Sequence, residues 1–497
     1  MKDNNAHISA ALLATAIFLF LTLLACVGPR GSDQFWYLYD MKSLVEGGGN
    51  ISNTYWAGSF WRNPTSPADN FILHNNLLMY LVLPAAKVFG AYGGWLLITV
   101  AASITAALCV GYSVKIICGD RTWAYIAYSL YLLLPLTFWL GSNILQEGIM
   151  AAWFAFCFLT LTLGQTRSSL CWWLITILLL LTGVWIHPFF TACSLAATGA
   201  FMIWGPIKCN WRLRASIGVF FILSVWVMNY LKGIIFPSTS MPGLIATIQE
   251  YIPGRGNSAW HEYFDPIPVT AGLILEKAKI AFIEQLGLSK NAIFRWPSNV
   301  AILMCIYGLF SKGENDKRRV YVICFVAMCI YSALVVLHQN QFRYIIIIMP
   351  ALVTGVCLVM HKSGWSHFYR IACGVAILLF SLVDLNCAAK MRTEAFQIKE
   401  ELGVWQDHAS LIKGPCIINT LNQQEIYSAR SHPVMVFQKT LAGDPRSKEL
   451  FARFAPKHLL TQKPESLQWL DKLDWKAIGV HTVGNIGWYI VDIVPCI

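Results

Sequence analysis

One residue in this chain that could do chemistry is Asp33, an acid that lies within six residues of the end of the first hydrophobic segment. Residues 8–27 are nearly all apolar and long enough to cross a bilayer, and Gly28-Pro29 ends that helix. Ser32 or Asp33 can then cap a second helix, predicted over about 34–46, whose aromatic side chains suit the membrane–water interface. A carboxylate held at this surface can accept a proton. Asp is also a common N-cap residue, so the capping and the chemical interpretations both stay open.

Later polar residues on the same predicted face add further candidates, namely His74, Glu147, His187 and Arg343 beside hydrophobic segments and Arg255 in the long loop 237–297. Each candidate has a plainer interpretation. Arg343 could be an interfacial anchor that snorkels from a helix end, Arg255 a loop charge, and His187 a hydrogen-bonded histidine before a proline.

A metal site is only faintly indicated. His261, Glu262 and Asp265 lie close together in the sequence, but their spacing alone is weak evidence for a metal. We expect no cofactor, with a divalent metal left possible. Asp384 lies near the outer end of the last hydrophobic segment, where it could be functional or a hydrated cap.

The composition places the chain among polytopic membrane proteins. Hydrophobic residues make up 56% of the chain and charged residues 13%, and mean hydropathy is +0.54. Soluble domains carry about twice that share of charge. The net charge of +11 arises mostly before residue 391, and it reflects loop asymmetry with no indication of nucleic-acid binding.

Eleven spans fit the hydrophobic pattern, at about 8–27, 93–118, 122–141, 144–164, 170–187, 189–206, 215–236, 298–311, 320–337, 344–361 and 371–390. Residues 77–90 are apolar but short, and they contain Pro84 and Lys87, so we expect a re-entrant or interfacial helix there. With that assignment one side collects nearly all short-loop cations, including Lys115, Arg121, Arg167, Lys208, Arg212, Arg214, Lys312, Lys317, Arg318, Arg319, Lys362 and Arg370. The positive-inside rule then makes the N-terminus cytoplasmic and the C-terminus external.

The final segment of the chain has a different composition. Residues 391–497 hold 12 Lys and Arg and 11 Asp and Glu without a long apolar run. Short β-like runs at 416–418, 434–437, 477–480 and 488–494 alternate with helical stretches at 446–454 and 464–472. We expect a transmembrane domain over 1–390, with outer loops 28–92 and 237–297, and a small α/β domain over 391–497. Its two cysteines, Cys416 and Cys496, could pair or remain free thiols.

Nucleotide chemistry is not indicated, because the chain has no glycine-rich phosphate loop, Walker motif or HExxH motif. A transfer reaction on the outer face would need a donor presented by the membrane, such as a polyprenyl-phosphate sugar.

The order of these features resembles the GT-C superfamily of integral-membrane glycosyltransferases, which includes protein O-mannosyltransferases and aminoarabinose transferases. The matching features are an acid after the first span (Asp33), a loose match to a His-Pro-Pro motif (His74-Asn75-Asn76), a proline followed by an acid (Pro135, Glu147), and Arg343-Tyr344 before an apolar run ending at Pro350. Two features depart from the pattern. Both prolines of the His-Pro-Pro motif are Asn, and the second acid is Glu147 where Asp is usual.

The resemblance implies an all-α polytopic domain that transfers sugar from a polyprenyl-phosphate donor to a glycan or lipid-linked acceptor. Asp33 would be the base in an inverting displacement, and Arg343 would bind the departing phosphate, with Arg255 as a second candidate. His74, Glu147 and His187 would line the substrate site.

The function expected from this resemblance is transfer of a sugar to a surface glycan, such as O-antigen of lipopolysaccharide, at the periplasmic face of a bacterial inner membrane. Two alternatives remain: a glycan polymerase or ligase that uses a polyprenyl-diphosphate donor, and a transporter or flippase without chemistry. A transporter is expected to show repeated halves and broken helices near the mid-membrane, and neither is evident in the sequence.

Overall fold

The computed structural model describes residues 2–30, 32–46, 54–57, 61, 76–186, 190, 202, 210–235, 270–285, 292–310, 342–363, 366–418 and 432–496. The helices are α1 (Lys2–Ala25), α2 (Ser32–Val45), α3 (Asn76–Cys118), α4 (Arg121–Leu132), α5 (Pro135–Gly141), α6 (Gln146–Thr166), α7 (Leu170–Gly183), α8 (Trp211–Ile235), α9 (Ala271–Gln285), α10 (Ala292–Phe310), α11 (Met349–Lys362), α12 (Ser366–His408) and α13 (Arg446–Phe454). The strands are β1 (Thr54–Trp56), β2 (Cys416–Ile418), β3 (Val434–Val436), β4 (His458–Thr461), β5 (Trp475–Val483) and β6 (Trp488–Pro495).

The membrane domain is confirmed as mostly helical and multi-pass. Five helices of the described segments are long and apolar enough to cross a membrane, or six if the bent pair α4–α5 forms one span. Predicted spans 189–206 and 320–337 lie almost wholly outside the described residues, as does most of loop 237–297. The buried core of the membrane domain packs α1, α3, α4, α5, α6, α11 and α12 together.

Proline and glycine break two of these helices. The predicted span 122–141 is bent by 58° between α4 and α5, because Pro135 cannot continue the preceding helix and starts a new one. Helix α3 is broken at Gly90, where φ is +75°. A side chain at Gly94 would collide with the backbone of Ala86, so the chain folds back sharply at Gly90. The first arm of α3 has about 14 residues, or about 21 Å of helix, too short to cross a bilayer.

A six-stranded sheet forms the C-terminal part of the fold. Its order is β1-β3-β2-β4-β6-β5, with β1, β3, β2 and β4 parallel and the β4–β6 and β5–β6 pairs antiparallel. The small C-terminal sheet expected from the β-like runs of the tail is confirmed, with β4 and β1 as additional strands. Strand β1 comes from the segment between α2 and α3, so this segment is attached to the tail. Cys416 is buried, Cys496 is exposed, and both are free thiols.

Helix α12 joins the two parts without interruption. It runs for 43 residues, from the membrane bundle into contact with the sheet. Trp405 near its end is fully buried beside Trp488 of β6, with ring centroids 5.9 Å apart. A continuous helix anchored at both ends holds the tail close to the membrane domain.

Candidate functional site

A buried ion pair between Glu147 and Arg343 is the centre of the candidate site. The Nε atom of Arg343 lies 2.9 Å from Oε1 of Glu147, and the two side chains are 15% and 1% exposed. Glu147 lies in the first turn of α6, where the positive end of the helix favours a carboxylate. Arg343 belongs to a 3-10 helix, Phe342–Ile347, that packs against α6. Two predicted site residues far apart in the chain are thus in contact.

This contact changes the interpretation of Arg343. A purely interfacial anchor would extend towards lipid headgroups, whereas this side chain is mostly buried against a carboxylate. Its guanidinium also lies 5.5 Å from the ring centroid of Tyr344. A guanidinium suits the oxygens of a phosphate as well as those of a carboxylate.

A second buried cation, Arg30, connects α1 and α2 to the turn before α6. Its Nη1 donates to the carbonyl of Ala25 at 3.2 Å, and its Nη2 donates to the carbonyl of Ser142 at 2.6 Å and to Oδ1 of Asn143 at 3.2 Å. Arg30 is only 4% exposed. Burial lowers the pKa of the Arg30 guanidinium, but an arginine in a protein stays protonated. The turn therefore holds a positive charge next to the start of α2.

Asn143 is shared by both sides of this connection. Its Oδ1 also accepts a hydrogen bond from Nε2 of Gln34, and its Nδ2 donates to the carbonyl of Trp139. The Oε1 of Gln34 in turn accepts from the backbone N–H of Arg30 at 3.1 Å. Gln34 immediately follows Asp33. Asn143 lies four residues before Glu147, just ahead of the first residue of α6. This network links the first turn of α2 to the turn immediately before α6.

Asp33 itself lies in the first turn of α2, because this helix begins at Ser32, about two residues earlier than predicted. Its side chain is outside the described residues, and so are His74, His187 and Arg255, as well as His261, Glu262 and Asp265. In the described part of the chain, no group of three or more His, Cys, Asp or Glu residues is arranged to hold a metal.

Sequence reasoning missed Arg30, Asn143 and another buried arginine, Arg295. Arg295 is 1% exposed near the start of α10, and its Nη1 donates to Oε1 of Gln285 at 3.2 Å. The neighbouring Phe294 contacts Trp139, with ring centroids 6.1 Å apart. The available signal was that these arginines adjoin hydrophobic segments, where a buried charge needs a specific partner.

The structure corrects one of the two interpretations of Asp384 that the sequence left open. It is fully buried in the middle of α12, and neither of its carboxylate oxygens has a hydrogen-bond partner among the described residues. Because α12 continues to His408, Asp384 does not cap this helix, and a hydrated capping role is wrong.

Three solved structures share this architecture. ArnT from Cupriavidus metallidurans bound to undecaprenyl phosphate matches with a TM-score of 0.61 at 11% identity, covering 97% of each chain. The archaeal oligosaccharyltransferase AglB from Archaeoglobus fulgidus, in complex with an inhibitory peptide and a dolichol-phosphate, matches with a TM-score of 0.55 at 12% identity. That match covers 95% of this chain and 71% of AglB.

The chain has the fold of ArnT and AglB. The apo form of the same ArnT gives a TM-score of 0.50 at 13% identity, covering 98% of each chain. No protein-family model matches the chain, and no curated protein matches it significantly. The resemblance that the sequence indicated is therefore confirmed at the level of the fold. The sequence identity to these structures is too low to extend the resemblance to activity.

A separate polar cluster lies in the tail sheet. Asp492 of β6 accepts hydrogen bonds from Nδ1 of His458 at 2.8 Å and from Nε2 of His481 at 2.9 Å. The backbone N–H of Lys413 donates to Nε2 of His458 at 3.0 Å, which requires the neutral form of that ring. Burial lowers the pKa of His458, against the opposing effect of Asp492. Burial raises the pKa of Asp492, but the two histidine hydrogen bonds outweigh it and the net pKa is lowered.

Proposed function

We propose that this protein is a membrane glycosyltransferase that transfers a sugar from a polyprenyl-phosphate donor to a surface glycan, such as O-antigen of lipopolysaccharide. The observation that carries the proposal is the junction of α2 and α6. A hydrogen bond from Gln34 to Asn143 ties the first turn of α2, which contains Asp33, to the turn just before α6. The first turn of α6 holds Glu147, the partner of Arg343, and Arg30 is hydrogen-bonded to the same turn before α6. A base next to fixed cations is the combination that sugar transfer from a phosphodiester requires.

In the proposed reaction, the acceptor hydroxyl attacks the anomeric carbon of the donor sugar. The bond from this carbon to the phosphate oxygen breaks, and the polyprenyl phosphate leaves with the electron pair and an additional negative charge. Asp33 takes the hydroxyl proton, and the anomeric configuration is inverted. Arg343, held in place by Glu147, stabilises the charge on the departing phosphate. We assign His74, His187 and Arg255 to substrate binding at the same face.

We also propose that 1–390 forms the catalytic domain and 391–497 an α/β domain on the periplasmic side of a bacterial inner membrane. Reporter fusions test this topology. A fusion after Gly90 should report the same side as one after Asn50, and the opposite side to one after Gly119, because the first arm of α3 turns back at Gly90. Disagreement between the Asn50 and Gly90 fusions would refute this arrangement.

The reaction is tested with purified protein, a radiolabelled polyprenyl-phosphate sugar, and release of polyprenyl phosphate as the readout. Mass spectrometry of surface glycans from cells with and without the protein identifies the sugar added. A polymerase would lengthen the glycan and release polyprenyl diphosphate, and a flippase would release neither lipid product.

Asp33→Asn is the decisive variant. Asp33 lies in the first turn of α2, where loss of its charge weakens the helix by only about 0.3–1 kcal/mol, so expression should be retained. Loss of a general base typically slows a reaction by about a hundred- to ten-thousand-fold. Asp40→Asn makes the same chemical change in the same helix and should remain active. Near-normal transfer by Asp33→Asn would mean that Asp33 is only part of the helix start, and the proposed mechanism would be wrong.

A further inference from the structure

A groove lies around the end of α3 and the start of α4, away from Glu147 and Arg343. It is formed by α1, α3 and α4 together with Leu159 of α6, and its volume is about 710 Å³. Lys115, near the end of α3, and Arg121, the first residue of α4, both line it. Glu147 and Arg343 are not among its lining residues, so this groove is distinct from the candidate active site.

The wall of the groove is mainly apolar and faces outwards. Ile8, Leu12 and Leu108 line it with 45%, 65% and 57% of their surface exposed. These side chains belong to helices that are long and apolar enough to span a membrane, so they are positioned to contact lipid.

The floor of the groove offers no strong polar site. The Oγ1 of Thr15 and the Oη of Tyr128 are hydrogen-bonded to each other at 2.7 Å. Gly111 lets α3 approach α4 closely, since a side chain there would come within 2.9 Å of the carbonyl oxygen of Ala124. The groove extends about 10 Å from Arg121 to Tyr128, at 1.5 Å per helical residue.

Positive charge is concentrated at one end of this groove. Lys115 and Arg121 are both exposed, and the Nζ atom of Lys115 lies 5.6 Å from the ring centroid of Tyr112, which also lines the groove. Contact with the ring favours a position of the ammonium group close to the groove. An apolar channel that ends in two cations matches a molecule with a hydrocarbon chain and an anionic headgroup.

We propose that this groove binds an anionic phospholipid, with its phosphate at Lys115 and Arg121 and an acyl chain along Leu12, Leu108 and Tyr128. Basic pockets between transmembrane helices are established binding sites for anionic lipid headgroups. A volume of about 710 Å³ is within the range of specific small-ligand pockets. The site is separate from the proposed sugar transfer, and it does not depend on that function.

The test uses full-length protein in detergent, titrated with phosphatidylglycerol or phosphatidylcholine of identical acyl chains and measured by native mass spectrometry. We expect one phosphatidylglycerol to bind selectively. Lys115→Gln/Arg121→Gln should weaken its binding by about 30-fold, since each cation near an anionic lipid contributes about fivefold. Leu108→Trp keeps both charges but fills the groove, and it should also weaken phosphatidylglycerol binding.

The matched control is Arg167→Gln/Arg212→Gln, which removes two exposed cations that do not line the groove. This variant should bind phosphatidylglycerol like the wild type. Equal binding of the two lipids, or equal weakening by the control and groove variants, would overturn the proposal. Unchanged binding in the groove double variant would do the same. The groove double variant alters exposed side chains only, so its folding should be intact.

Discussion

Removing one partner of the Glu147–Arg343 pair should destabilise the protein more than removing both. Loss of one member of a buried ion pair leaves an uncompensated charge and typically costs about 3–5 kcal/mol. For Glu147→Gln we expect about 3 kcal/mol, because the Arg343 side chain is 15% exposed and can be partly hydrated. For Arg343→Met we expect about 4 kcal/mol, because the carboxylate that remains is 1% exposed. The helix start around Glu147 offsets only about 1 kcal/mol.

The double variant Glu147→Gln/Arg343→Met carries no buried charge at this position. Replacing both partners of a buried pair is often close to neutral, so its stability should lie within about 1 kcal/mol of the wild type. Its transfer activity should nevertheless be at least about a hundred-fold below that of the wild type, because the cation for the departing phosphate is missing.

The assay combines equilibrium unfolding in mixed detergent micelles with release of polyprenyl phosphate. The four proteins of the cycle give the coupling energy between the two side chains, which is expected to be several kcal/mol. Two results would refute the reasoning. Additive single effects would mean that the pair is not coupled, and recovery of both stability and activity in the double variant would make Arg343 a structural residue only.

Two further predictions concern the remaining networks. Asn143→Leu should cost about 1–3 kcal/mol, since Arg30 loses a buried acceptor, and should reduce transfer because α2 and α6 lose their alignment. Thr176→Val removes a buried hydrogen bond from α7 to Thr160, about four turns along α6 from its start, and should leave transfer intact. Equal losses of transfer in the two variants would contradict a positioning role for Asn143. The tail should melt at a lower temperature at pH 5 than at pH 7.5. The lowered pKa of His458 makes the folded state lose stability as the pH falls below about 6.5, and that of Asp492 adds to this loss only below about pH 4. His458→Gln should flatten the pH dependence between 7.5 and 5, and an unchanged slope would refute the assignment.

Much of the fold could be predicted because its signals are local. Hydrophobic segments of membrane length indicated the helices, and the amphipathic pattern of α13 predicted its span over 446–454 as observed. The short apolar stretch before Gly90 indicated a helix that does not cross, and the fold-back at this glycine agrees with that interpretation. Two strands escaped prediction. Strand β1 has three residues in a polar loop, and β4 is a four-residue run buried on both faces, without the alternation that indicates a strand.

The sequence by itself determined the membrane class, the candidate acids and arginines, and the resemblance to the GT-C superfamily. Only the tertiary structure decided which of these residues meet. Three contacts join segments that are far apart in the chain: the ion pair of Glu147 with Arg343, the hydrogen bond from Arg30 to Asn143, and the pairing of β1 with the tail sheet. Such contacts leave no periodic signal, because a buried charge is stabilised by the partner that packing brings to it, and that partner is independent of the neighbouring sequence.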